Sequence, residues 1–163
     1  MEIRTAQASD LPQIAAIVRQ IVTAGESYAY PDELSDDDIS RLWFEPPPGH
    51  TIVAVADGNV VGTAKMGPNR PGRGDHIGTA SFMVDPDSSV RGVGRAMGAW
   101  VIDWHRRNGY AGIQFNAVVE TNLRAVRLWQ SLGFEIVGTV PSAFRSRLHG
   151  RVGLHIMYLA LAA

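Results

Sequence analysis

Between residues 84 and 96 the chain reads Val-Asp-Pro-Asp-Ser-Ser-Val-Arg-Gly-Val-Gly-Arg-Ala. Glycines and arginines at this spacing are suited to holding an anion. Successive backbone N–H groups at a helix start, with the positive end of the helix dipole, form a cradle for phosphate. Gly92 and Gly94 let main chain approach without an intervening Cβ, and Arg91 and Arg95 carry guanidinium groups that match phosphate oxygens. Taken alone, the loop is equally a tight strand-to-helix turn that binds nothing, because short Gly-x-Gly runs are common. It lacks the Gly-Lys-Ser/Thr ending of a Walker loop and the third glycine of a dinucleotide fingerprint.

The elements around it must position the cradle. A mostly apolar run, residues 79–84, ends at Asp85-Pro86 and closes a predicted central strand over 76–84. Val93, Met97, Trp100, Val101 and Trp104 recur at helical spacing and predict a helix over 93–107, stopped by Asn108-Gly109. Upstream, residues 2–6 predict a strand. Ser9 is a candidate N-cap for a helix whose face is Leu11, Ile14, Ala15, Val18, Ile21 and Val22, ending at Gly25. Tyr28 and Tyr30 follow in a loop that either packs or roofs an acceptor pocket. Residues 35–44 predict a short helix whose Asp36-Asp37-Asp38 start suits the dipole, and three prolines at 46–48 stop it. Asp57-Gly58-Asn59 predicts a hairpin between strands 51–56 and 60–66. The loop 68–74, with Arg70 and Arg73, is a solvated turn or a contact to an acidic ligand.

Strand 112–118 carries an anomaly. Ile113, Phe115 and Ala117 fall on one face, Gln114 and Asn116 on the other. Both faces of a central parallel strand should be apolar, so these amides pair within the core or Asn116 faces a cleft. Asn122 and Thr121 are both good N-caps for a helix over 122–132, with Ala125, Leu128, Trp129 and Leu132 on one stripe and Gly133 as its stop. Two closing antiparallel strands, 134–139 and 152–159, flank a basic loop or hairpin arm at 145–151.

Composition bounds the function. The 163 residues suit one domain, 1–163, with 45% hydrophobic and 19% charged residues. A net charge of −1 gives no basic footprint for nucleic acid. With no cysteine, disulfides, thiolate nucleophiles and Cys-ligated metals are excluded. The five histidines are scattered, so no metal site is expected. No signal-peptide pattern or membrane-length apolar run is present, and a cytoplasmic protein without membrane contact is expected.

The loop 91–96 and the later run Asn122-Leu-Arg-Ala125-Val-Arg-Leu128-Trp129-Gln-Ser-Leu132-Gly133-Phe134 together resemble the GNAT acetyltransferase superfamily. In that family Gln/Arg-x-x-Gly-x-Gly/Ala binds the pyrophosphate of acetyl-CoA, and Asn-x-x-Ala-x-x-Leu-Tyr-x-x-x-Gly-Phe follows. The resemblance implies an α/β (α+β) GNAT fold: a mixed, twisted sheet of about seven strands, helices on both faces, and splayed central parallel strands. It also implies acetyl-CoA as cosubstrate, a small-molecule amine or amino acid as acceptor, and a homodimer. The cofactor would lie along Phe82, Met83 and Val84, on the cradle Arg91, Gly92, Val93, Gly94, Arg95 and Ala96, and against Asn122. The Val84 N–H would stabilise the thioester oxyanion.

Two family features are missing. Ser81 stands where the family often has a general-base Glu, and Trp129 where it often has a proton-donating Tyr. A thiol with a pKa of about 8.5 leaves without a donor, which implies direct attack driven by positioning, and no acyl-Cys step is possible. Asn116 then orients the acceptor, with Thr79 or Ser81 assisting and Tyr28 and Tyr30 near it; His76 is a further candidate base. The runs Asn69-Arg-Pro-Gly-Arg-Gly, Ser81-Phe-Met-Val-Asp-Pro and Phe115-Asn116, with Arg-Leu-Trp at 127–129, resemble fungal L-azetidine-2-carboxylate acetyltransferases. Their acceptor is a small cyclic secondary amino acid, and they use Asn at the Phe-Asn position. An Asn that they carry on the central strand is Thr79 here. The alternatives are a peptide or protein N-acetyltransferase and a non-catalytic acyl-CoA sensor.

Overall fold

The computed structural model describes residues 1–161. In chain order they form β1 (Glu2–Thr5), α1 (Leu11–Ala24), α2 (Asp36–Trp43), β2 (His50–Ala56), β3 (Asn59–Pro68), β4 (Ile77–Val84), α3 (Val93–Arg107), β5 (Gly112–Val119), α4 (Leu123–Ser131), β6 (Glu135–Ser146) and β7 (Gly150–Ala160). The strands make one sheet in the order β1-β2-β3-β4-β5-β7-β6. Every neighbour pair is antiparallel except β4 and β5. This is the mixed α/β fold with seven strands that the resemblance implied.

Local chemistry explains most boundaries. Gly92 starts α3 at φ 79°, a conformation that a Cβ disfavours, and His105, Arg106 and Arg107 put positive charge in the last turn. Ser35 caps α2 by accepting from the Asp38 N–H, and the Asp38 carboxylate accepts from the Ser35 N–H in return. Asp57 and Gly58, both at positive φ, make the β2–β3 turn.

Two local expectations are corrected and a third is decided. Ser9 does not cap α1: a short 3-10 turn, Ala8–Asp10, precedes the helix and Asp10 takes the cap position. The Asp10 carboxylate accepts from the Gln7 N–H and pairs with Arg4 at 2.8 Å, which outweighs a hydroxyl cap. Ala117 does not join the core: the register against β7 slips between Phe115 and Val118, and this bulge turns Ala117 out with Asn116. Of the two forms expected for residues 145–151, the structure has the hairpin: β6 runs on to Ser146 and turns directly into β7.

The core lies on both faces of the sheet. α1 and α2 pack Ile14, Val18 and Trp43 against Val53 and Met83. On the opposite face, α3 packs Met97 and Val101 against Ile52, Ala54 and Ala64, and α4 adds Val126 and Trp129 over Ile113 and Phe115. Burial of each such side chain contributes about 1.5–3 kcal/mol. Gly98 brings α3 and α4 close together, since a Cβ there would sit 2.7 Å from Leu132 Cδ1.

Candidate active site

The two central strands part almost as soon as they meet. β4 and β5 pair only at Ile77 with Gly112 and Gly78 with Ile113. Beyond that they diverge, and side chains of the α1–α2 segment and Trp129 line the space between them. The gap is a cavity of about 420 Å³ lined by residues 79–84, residues 115–119, Tyr28, Asn122 and Trp129.

The edge of β4 that faces this gap follows from strand alternation. The Asp85 N–H donates to the Val61 carbonyl at 3.0 Å. Main-chain groups of Asp85, Met83 and Ser81 therefore point at β3, and those of Val84, Phe82 and Ala80 point at the gap. Val84 presents an N–H to the cleft. Met83 does not: its main chain serves the sheet and its side chain is buried under α1.

Phe82 is already engaged. The Tyr28 hydroxyl donates to the Phe82 carbonyl at 2.6 Å and accepts from the Phe82 N–H at 2.9 Å. Burial pushes the Tyr28 phenol well above its ordinary pKa, against the opposing bonds to Phe82 and Ser81, so it stays protonated. Tyr28 stacks on Tyr30 with centroids 5.5 Å apart, and together they roof the cleft. The roof is clasped from the far end of the sheet. Ser146 Oγ donates to Glu26 at 2.6 Å, the Leu148 N–H donates to the same carboxylate at 3.0 Å, and Arg147 pairs with Asp32 at 2.9 Å.

At the mouth of the gap lies the start of α3. The Ala96 N–H closes the first helical bond, on the Gly92 carbonyl at 2.9 Å, so the N–H groups of Val93, Gly94 and Arg95 have no helical acceptor. Those are the free donors of the cradle; Ala96 contributes only its small side chain. A Cβ on Gly94 would stand 3.2 Å from Leu128 Cδ2 and 3.7 Å from Val84 Cγ2, so glycine is what lets α3, α4 and β4 converge here. Val93 is buried under Gly62. Arg91 is exposed, and the Arg95 guanidinium donates to Ser131 Oγ at 2.7 Å, on α4.

Asn122 holds two jobs in one side chain. Its Oδ1 accepts from the Ala125 N–H at 3.2 Å as the N-cap of α4, while the residue also lines the cleft. Trp129 packs its ring against Phe82 (centroids 4.6 Å apart) and Phe115, forming an apolar floor. No carboxylate lines this gap among the described residues.

Asn116 sits where the gap opens into a second cavity of about 390 Å³. The two compartments share Tyr30, Thr79, Ala80, Ser81 and Asn116. Its amide is fixed from both ends: Gln114 Nε2 donates to Asn116 Oδ1 at 2.9 Å, and Asn116 Nδ2 donates to Asn69 Oδ1 at 2.7 Å. The amide anomaly on β5 is thus a surface chain at the cleft. Asn69, from the loop after β3, was not singled out as a site residue by residue type, since a lone Asn beside proline reads as a turn. Lys65 and Glu45, which line the second cavity, also gave no signal: each reads as an ordinary surface charge. His76 precedes β4 and lines neither cavity. Among the described residues no three His, Cys, Asp or Glu side chains cluster as metal ligands, and no helix is long and apolar enough to cross a membrane.

An open strand edge, a helix start with spare N–H groups beside it, and an adjoining second compartment define a group-transfer enzyme with an extended, phosphate-bearing donor. The chain belongs to the Acetyltransferase (GNAT) family, which it matches over residues 15–134. A GCN5-related N-acetyltransferase of known structure from Kribbella flavida is 54% identical with a TM-score of 0.95, covering 98% of this chain and 97% of that one. L-methionine sulfoximine/L-methionine sulfone acetyltransferase of Pseudomonas paraeruginosa is 33% identical over 146 residues, 85% of this chain and 83% of that protein. N-acetyltransferase aca1 of Schizosaccharomyces pombe is 33% identical over 91 residues, 56% of this chain. The match spans only 44% of the length of aca1. The family uses acetyl-CoA, and two proteins of this fold, 24% and 21% identical to the chain, were solved with it bound.

Proposed function

We propose that this acetyltransferase moves an acetyl group directly from acetyl-CoA to the amine of a small molecule, with cyclic secondary amino acids such as L-azetidine-2-carboxylate as the acceptor class. The observation that carries the reading is the early parting of β4 and β5, which opens a cavity of about 420 Å³ along the free edge of β4, with the start of α3 packed against its Val84 end. Acetyl-CoA supplies an activated acetyl thioester. The residues that fit it are Val93, Gly94 and Arg95 by their free N–H groups, Phe82 and Val84 by their cleft-facing main chain, and Asn122 by its amide.

The protein's own part is positioning and electrostatics. The Val84 N–H is the candidate oxyanion donor. Asn116, pinned by Gln114 and Asn69, accepts a hydrogen bond from the incoming amine and turns its lone pair inward; an amide is no base, so the amine must arrive uncharged. Ser81 and Thr79 are candidate polar contacts beside it. Trp129 offers an apolar floor instead of an acid, which suits a leaving thiol. A small acceptor fits better than a protein segment, because the second compartment holds about 390 Å³ and is roofed by Tyr30 and walled by residues 45–49. The relative that acetylates L-methionine sulfoximine and sulfone also has a small amino-acid acceptor. A cytoplasmic location, where acetyl-CoA is made and used, and a homodimer accompany this reading. The edge strand β6, which exposes Ile136, Val137 and Val140, is the face for a second copy.

Thiol release from acetyl-CoA, followed with a thiol-reactive dye, tests the proposal directly, because the chain has no cysteine of its own. The panel is L-azetidine-2-carboxylate, hydroxyprolines, methionine sulfone, ordinary amino acids, polyamines and peptides. Turnover with cyclic secondary amino acids is expected. Turnover with peptides alone would move the function to protein acetylation, and acetyl-CoA binding with no turnover would leave a sensor.

A further inference from the structure

The two compartments of the cleft are lined almost wholly by uncharged groups. Among the described residues the first has no charged side chain, and the second has two, Lys65 and Glu45. Lys65 is on β3, opposite Ser81 on β4, so both side chains stand on the sheet face that carries α1 and α2. Its ammonium is held by the Leu42 carbonyl at 2.6 Å and by Glu45 Oε1 at 2.8 Å, and lies 5.9 Å from the centroid of the Trp43 ring. An ammonium has three donors; two are spent, and the third is free for a ligand. The side chain is 19% exposed, so the charge sits in a half-enclosed site where water screens it poorly. Glu45 is on the segment between α2 and β2 and is more exposed, at 35%.

We infer that Lys65 is the specificity-determining residue of the acceptor compartment and receives the carboxylate of an amino-acid acceptor. This rests on the small-molecule reading above and narrows it: the acceptor carries a free carboxylate on the carbon next to the reacting amine. With the amine directed past Asn116, the carboxylate on the neighbouring carbon turns toward Ser81, which lines both compartments, and Lys65 opposite it. Glu45 then acts as the resident counter-ion. It keeps the lone cation of the compartment paired until a substrate carboxylate takes the spare donor, and it repels acceptors whose carboxylate would enter the wrong way round.

The test is a binding experiment, so it does not depend on turnover. Calorimetry of the acetyl-CoA-bound protein measures affinities for L-azetidine-2-carboxylate and L-methionine sulfone, each against its carboxamide. The wild-type protein is expected to prefer the carboxylates by about ten- to a hundredfold, as for a hydrogen bond to a charged partner. Lys65→Met should abolish that preference, with acetyl-CoA affinity unchanged, and Lys65→Arg should restore much of it. Glu45→Gln keeps the cation and removes its rival, so it should tighten carboxylate binding; it also carries the test if Lys65→Met does not fold. Equal affinity for carboxylate and carboxamide in the wild type, a preference that survives Lys65→Met, or weaker carboxylate binding in Glu45→Gln would each overturn the assignment. A carboxylate preference that depends on Lys65 without thiol release would leave Lys65 standing and remove the transferase reading.

Discussion

Tyr28 occupies with its own hydroxyl the strand edge that acetyl-CoA would need. One phenol satisfies both the N–H and the C=O of Phe82, at 2.9 and 2.6 Å. A main-chain N–H has one proton, so a ligand that accepts from the Phe82 N–H must displace Tyr28. Tyr28→Phe removes both bonds while keeping the ring stacked on Tyr30 and edge-on to Trp43. Each bond contributes about 0.5–1.5 kcal/mol net, so the ligand-free protein should lose about 2 kcal/mol. That corresponds to a melting point lower by about 4–8 °C for a domain of this size. The same 2 kcal/mol no longer opposes the ligand, and acetyl-CoA should bind up to about thirtyfold more tightly. The assay is calorimetric titration of acetyl-CoA beside thermal melts with and without it. Weaker binding in Tyr28→Phe would show that the phenol supports the ligand, and an unchanged melting point would show that the bonds to Phe82 carry no weight; either result refutes the displacement argument.

Three further outcomes are expected. Gly94→Glu puts a Cβ 3.2 Å from Leu128 Cδ2 and a negative charge among the free N–H groups of α3, and should abolish acetyl-CoA binding in calorimetry; unchanged affinity with an intact fold would sink the cradle. Asn116→Ala should lower kcat/KM for the acceptor by about tenfold or more while leaving acetyl-CoA affinity alone, and Asn69→Ala should add little on top of it, because the two amides act as one chain. His105 is fully buried, with Nδ1 bonded to the Val101 carbonyl at 2.8 Å and Nε2 without a partner. Burial holds the imidazole below its ordinary range, so it folds neutral. The unfolded chain takes up the proton first as pH falls, so the stability tied to the neutral ring is present above pH about 6.5 and lost as pH drops below it. Denaturant titrations from pH 8 to 5 should show that loss, and His105→Phe should flatten it.

Where contacts are local, the sequence was legible. The bounds of α3, Val93–Arg107, follow from apolar spacing, a glycine that tolerates positive φ and an Asn-Gly stop. The β2–β3 turn follows from Asp57-Gly58, and the start of α2 from its Asp36-Asp37-Asp38 run. Each is settled within a few residues, so short-range sterics and hydrogen bonds decide it. The glycine-rich start of α3 was readable for the same reason, as was the family through its paired motifs.

What failed to appear in the sequence is what long-range packing decides. Ala117 alternates correctly on paper, yet a bulge against β7 turns it outward. Tyr28 reaches a main-chain slot 54 residues away, and Glu26 is clasped by Ser146 across 120 residues. Nothing in either neighbourhood encodes such a partner. Lys65 reads as a surface charge until β3 and β4 pair and set it opposite Ser81, facing a compartment closed by Tyr30 and residues 45–49. The residue types were in the sequence from the start. Which of them share a cavity depended on strand register and on the parting of β4 from β5, and both are consequences of how the helices fill the two faces of the sheet.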